Sequence, residues 1–275
     1  PGSFLRPGLA AWALAVRNVV RSGSSTYDLG GQITDLNDKT TGQHQCFGYD
    51  ELNRISRAHT TLSTAGCTGP FAPDLATGTD PYQLDYTYDG AGNLQKVTDT
   101  KSTGAVVNDY VYPGYSADQS TYTPGAARPH AVSSVKTPTG TDSYGYDNAG
   151  QMTSKTVKGA STTLIWNELG QLVQTTGASA TSYVYDADGN MLLRKGSGAT
   201  VLYLGGQEIR KAGSTVTGTR YYADGTSTVA MRTSGSGGTV AWVMSDPQAS
   251  TSVAVDSATN AVTRRRYLPF GAQRS

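Results

Sequence analysis

Glutamate is almost missing from this sequence: Glu51, Glu168 and Glu208 are the only three in 275 residues, and lysine stops at eight. Both are good helix formers, so their scarcity argues against a helical bundle and against an α/β enzyme fold. Histidine is equally rare. His44, His59 and His130 stand in no G-x-S-x-G, H-E-x-x-H or H-x-E context, and no G-x-x-x-x-G-K-[ST] loop is present to cradle a phosphate. The two cysteines, Cys46 and Cys67, make no C-x-x-C, and only His44 lies near them in sequence, so neither a metal centre nor a cofactor is expected. No apolar run reaches the ~18 residues of a membrane helix. A net charge of +1 and a pI near 8.2 lack the basic excess of a nucleic-acid partner.

What is present favours turns and strands: 33 glycines, 11 prolines, and 17 tyrosines against four phenylalanines. Charge is uneven. Residues 1–189 hold 12 Lys/Arg and 17 Asp/Glu, whereas 190–275 hold 10 and 4. The basic run Arg264, Arg265 and Arg266 reads as a solvated strand face with no assigned role. Near the N-terminus, Leu9, Trp12, Val16, Val19 and Val20 are spaced for one short helix, with a buried strand as the other reading. An N-terminal apolar segment is accordingly set at 1–26.

A short phrase then recurs: Tyr27-Asp28-Leu-Gly, Tyr49-Asp50-Glu-Leu-Asn-Arg54, Tyr88-Asp89-Gly-Ala-Gly92-Asn93, Tyr146-Asp147-Asn-Ala-Gly150-Gln151, Trp166-Asn-Glu-Leu-Gly170-Gln171 and Tyr185-Asp186-Ala-Asp-Gly189-Asn190. In each, the aromatic ends a strand, Asp accepts hydrogen bonds from the turn, and Gly or Asn takes a positive-φ position. Alternating stretches such as Asn93-Leu-Gln-Lys-Val-Thr98 follow at once, so one repeat is one β-hairpin. A single hairpin is marginal in water, and neighbours must stack side by side. The expected fold is all-β, an array of stacked antiparallel hairpins over 27–263.

These phrases resemble the YD-repeat or Rhs-repeat proteins of bacterial polymorphic toxins, related to the C components of Tc toxins and to teneurins. Arg266-Tyr267-Leu-Pro269-Phe270-Gly271 resembles the segment that opens the family's Rhs-associated core, here cut to 264–275. The resemblance implies a sheet that spirals into a hollow shell around a C-terminal toxin or effector domain, with this chain a partial shell. It also implies aspartate-dependent self-cleavage by the associated core. That activity is expected to be missing, because the downstream cleavage motif is absent and Asp246 and Asp256 read as turn residues.

Cys46 and Cys67 lie 21 residues apart, about one repeat, which favours a disulfide across adjacent hairpins; two separate buried thiols are the alternative. Asp186-Ala-Asp-Gly-Asn190 has part of a calcium-loop pattern, but its sibling turns lack the second acid, and the turn explains it. Two further classes of function stay open. Asp147, Glu168 and Asp186, one hairpin apart, suggest a polysaccharide hydrolase or lyase, which needs two carboxylates roughly 5–9 Å apart. Trp166 and Trp242 suggest a glycan-binding adhesion module on a cell surface, with core packing as the plainer role. The primary reading is a non-enzymatic module, secreted or at the cell surface, whose partner is a C-terminal cargo or the remaining shell.

Overall fold

A computed structural model describes residues 23–68, 73–115, 127–178, 180–235 and 238–274, together with 121, 123 and 125. The segment expected to be a helix, residues 9–20, lies outside these. The described residues form twenty-one strands of one sheet and a single short 3-10 turn at Gly66–Thr68. Strands pair antiparallel with their neighbours in sequence, as the short, glycine-bearing connections demand. The protein is an all-β stack of hairpins. Among the described residues no helix is long and apolar enough to cross a membrane.

Two compact units divide the chain. The unit of residues 47–59 and 82–202 carries the most regular hairpins, such as Gln83–Tyr88 with Leu94–Lys101 and Ala160–Trp166 with Leu172–Gly177. Strand Gln83–Tyr88 shows the period-2 rule directly: Leu84 and Tyr86 are buried, and Gln83, Asp85 and Thr87 are not. Its interior is built from Ala58, Tyr82, Leu84, Tyr86, Tyr112, Val135 and Val201. Buried tyrosines, threonines and short aliphatics thus supply the volume that a sequence so poor in Phe cannot.

The other unit comprises residues 1–46, 60–81 and 203–275. Here Gly23–Tyr27 pairs with Ile33–Asp38, which pairs with the start of Gln43–Tyr49. Val240–Ser245, Thr251–Asp256 and Val262–Arg264 form a second group, whose Met244, Val253 and Val255 pack with Trp242. A disulfide joins Cys46 to Cys67, with Cα atoms 5.3 Å apart, and ties the connection after strand Ile55–Thr61 to the unit.

Candidate functional site

The chemistry-bearing residues picked out by sequence gather at the turns. In the phrase starting at Tyr88, the Asp89 amide donates to the Asn93 carbonyl, and the Gly92 amide donates to the Asp89 carbonyl. One carboxylate oxygen of Asp89 accepts from the amides of Ala91 (2.9 Å) and Asn93 (2.8 Å), while the other accepts from the Asn93 side chain (2.8 Å). The same pattern recurs around Asp50, Asp147 and Asp186, and Asn167 reproduces it with an amide oxygen. Asp28 keeps the longer-range bond, to the Gln32 amide. Four residues after each aromatic, φ is positive: 81° at Gly31, 62° at Asn53, 87° at Gly92, 81° at Gly150, 73° at Gly170 and 82° at Gly189.

Two further copies escape a search for Tyr-Asp. In Ser245-Asp246-Pro-Gln-Ala249-Ser250 the Asp246 carboxylate caps the amides of Gln248 and Ser250, and Ala249 takes a φ of 65°. In Tyr267-Leu268-Pro269-Phe270-Gly271-Ala272, the Leu268 amide donates to Ala272 and the Gly271 amide donates back to Leu268, both at 2.8 Å, with Gly271 at φ 83°. The segment assigned by resemblance to a separate core therefore has the main-chain hydrogen bonds of a repeat turn, without its carboxylate cap. Asp256 caps a different turn, through the amides of Ala258 and Thr259.

In five of the phrases the aromatic does more than end a strand. Tyr88 donates its hydroxyl to the Ile55 carbonyl (2.8 Å), Tyr146 to Val132 (3.0 Å), Tyr185 to Leu172 (2.9 Å) and Tyr267 to Thr251 (2.7 Å). Trp166 substitutes its indole N–H, 2.8 Å from the Met152 carbonyl. Tyr112, which opens no Tyr-Asp phrase, does the same to Leu94 (3.1 Å). Five of these six acceptors (Ile55, Leu94, Met152, Leu172 and Thr251) sit six residues beyond the first position of the preceding turn phrase. Four of those five directly precede a β-bulge, where the register skips Gln95, Thr153, Val173 and Ser252. A bulge interrupts the ladder and leaves main-chain groups to be satisfied from outside it. The aromatic tether supplies a donor there, which phenylalanine could not. The high ratio of Tyr to Phe was the available signal.

Electrostatics follow the turns. The Arg54 amide, above all, holds the Asp50 carboxyl below its usual range, and the Asn190 amide does the same for Asp186. The Arg54 guanidinium also lies 4.4 Å from the centre of the Tyr88 ring, linking one phrase to the next. Burial raises the Tyr112 phenol first, aided by the Asp89 carboxylate, and pushes it up to about 12.

The basic run is not simply solvated. Arg266 pairs with Asp38 at 2.9 Å across 228 residues, and Arg274 donates to Gln43 and faces Asp80. Burial raises the Asp38 carboxyl, but the Arg266 bond, the Thr40 amide and the guanidinium charge together leave it lowered. Beside the disulfide, Asp35, His44 and Cys67 place one ligand-type atom each within 4.8 Å of one another, a grouping that sequence spacing did not show.

The alternative sites fare differently. Asp147 and Asp186 each spend a carboxylate oxygen on turn amides, and Glu168 is exposed at a turn tip. Asp188 takes no part in the cap around Asp186 beyond donating its amide. Trp242 is half-buried against Met244, Val253 and Val255, and Trp166 is a tether.

No protein-family model matches the chain, and no curated protein does. Among solved structures, it is similar to a mutant Tc holotoxin pore of Photorhabdus luminescens, at 15% identity over 91% of this chain and 15% of that one, TM-score 0.39. It is also similar to a TcdB2–TccC3 crystal structure, at 16% identity over 91% of this chain and 16% of that one, TM-score 0.39. A third, TcdB2–TccC3 without its hypervariable C-terminal region, gives 13% identity over 92% of this chain and 18% of that one, TM-score 0.35. The chain spans 15–18% of the length of these solved chains.

Proposed function

We propose that the chain is a structural module of a secreted or cell-surface YD-repeat shell that encloses or displays a C-terminal toxin or effector domain. The observation that carries this reading is the aromatic tether. The tethers of Tyr88, Trp166 and Tyr185 each join one hairpin to the main chain of its predecessor, so the array can be lengthened by repetition, as a wall requires. Leu29, Leu52, Leu169 and Phe270 are left exposed at turn tips, apolar surface that a cargo or a further stretch of shell would cover. The disulfide supports an oxidising location. The domain limits 1–26, 27–263 and 264–275 belong to this proposal, as do the structural roles of the repeat residues.

The test extends the chain with the sequence encoded after Ser275 in its own gene and exposes the product to a broad-specificity protease. Survival of a C-terminal fragment under conditions that digest the same fragment made alone supports enclosure. Digestion of everything after the hairpin array, with the array intact, refutes it. A panel of polysaccharides, scored for both retention and product release, tests the glycan-binding and hydrolase alternatives.

A further inference from the structure

The connection between strand Ile55–Thr61 and the turn Gly66–Thr68 lays Cys67 over a face already carrying metal-ligand chemistry. Asp35 and Asn37 share one face of strand Ile33–Asp38, as His44 and Cys46 do of Gln43–Tyr49. The ladder sets Asp35 opposite Cys46 and Asn37 opposite His44, so these four residues share one side of the sheet. His44 Nδ1 lies 2.8 Å from Asp35 Oδ2, and both side chains are largely shielded. Gly66 has a φ of 58°, and a Cβ there would come within 2.9 Å of the His44 ring and 3.2 Å of Asp35. Only a glycine lets the chain carrying Cys67 approach this pair so closely.

We propose that Asp35, His44, Cys46 and Cys67 form a redox-gated site for a divalent zinc-like cation: a disulfide when oxidised, a four-donor metal site when reduced. In the disulfide neither sulfur is a thiolate, and the thiolate is the metal ligand. A dithiol reductant passes two electrons and two protons to the Cys46–Cys67 bond, closing its own disulfide and leaving two thiols. Zn2+ then displaces one proton from each thiol and takes two sulfurs, the His44 imidazole and the Asp35 carboxylate, a mixed S, N and O set of the kind zinc accepts. Tetrahedral zinc spaces such donors by about 3.3–3.8 Å. The Asp35, His44 and Cys67 donor atoms already lie within 4.8 Å of one another, and reduction frees the Cys46 sulfur bonded to Cys67 beside them. Spacing in sequence argued against metal because no C-x-x-C exists. The fold brings the donors from three separate segments instead.

Zinc titration of the whole chain, before and after reduction by a phosphine that does not chelate, tests this against a chromogenic competitor. The reduced chain is expected to take up one Zn2+ and the oxidised chain none. His44→Ala and Asp35→Asn should each weaken uptake by the reduced chain about tenfold or more, and Cys46→Ser with Cys67→Ser should abolish it. Co2+ in place of Zn2+ should give thiolate charge-transfer bands and tetrahedral visible bands. Equal uptake by oxidised and reduced chains overturns the proposal. So does uptake unaffected by either His44→Ala or Asp35→Asn, which would mark thiols binding zinc without the folded site. A reduced chain that loses its β-sheet circular dichroism and does not regain it with Zn2+ overturns it as well.

Discussion

Removing one oxygen atom tests the tether. Tyr185→Phe keeps the ring, and so its packing, but deletes the donor 2.9 Å from the Leu172 carbonyl. A protein hydrogen bond contributes a net 0.5–1.5 kcal/mol, and more when its abandoned partner stays dry. Tyr185 is half-buried, so water can reach the carbonyl, and the expected loss is about 1 kcal/mol. Tyr146→Phe removes a separate tether, to Val132. In a stack whose stability is a sum of repeats and nearest-neighbour interfaces, the two losses should add to about 2 kcal/mol. Tyr183→Phe, two residues earlier in the same strand as Tyr185, is the control and should cost less than about 0.5 kcal/mol. The measurement is the urea midpoint at constant slope. If Tyr185→Phe is as stable as the parent, or if the double variant costs no more than either single one, the tether is geometry without energy and the argument for an extensible array fails.

Turn glycines give a second test: Gly150→Val or Gly189→Val should cost about 1–3 kcal/mol because a β-branched residue is strained at positive φ, while Gly198→Val, at an ordinary φ in open space, should cost much less. Ala249→Gly should have the opposite sign and raise the urea midpoint by up to about 1 kcal/mol, since alanine now occupies the left-handed position at φ 65°. The Tyr112 phenol, raised from 10.0 to about 12 in the fold, stabilises fully below pH 10, and that contribution should disappear as pH rises toward 12. Alkaline denaturation of Tyr112→Phe should therefore show a shallower slope across that window, and an unchanged slope would remove the phenol from the account. Finally, the 275-residue chain should stay intact for days at neutral pH by mass spectrometry, because Asp246 and Asp256 both cap turns; self-cutting would make these two the first residues to mutate.

Hairpin architecture was legible because each repeat phrase states its chemistry locally: an aromatic, an Asp or Asn side-chain oxygen and a positive-φ residue within six positions. Where the local code erodes, legibility goes with it. Ser245 and Ala249 replace the aromatic and the glycine, yet the Asp246 cap persists; the sequence marks Asp246 as a turn residue, and only the structure shows that the turn is a copy of the repeat. The tethers were hidden for another reason, since their acceptors are main-chain carbonyls, which leave no mark in a sequence. Contacts between distant residues were equally out of reach. Nothing in Arg264-Arg-Arg266 points to Asp38, and nothing in the spacing of Asp35 and His44 announces that their side chains meet.

A tether that ends on a carbonyl has an acceptor that mutation cannot delete, because every amino acid carries one. Loss can occur only on the donor side, where tyrosine and tryptophan are interchangeable so long as an O–H or N–H reaches the bulge. The sequence between the turns is then free to drift, and a hairpin duplicated, deleted or exchanged with another still finds a partner in whatever precedes it. Such a chain can change its length in evolution without having to co-evolve a matching surface at each new junction.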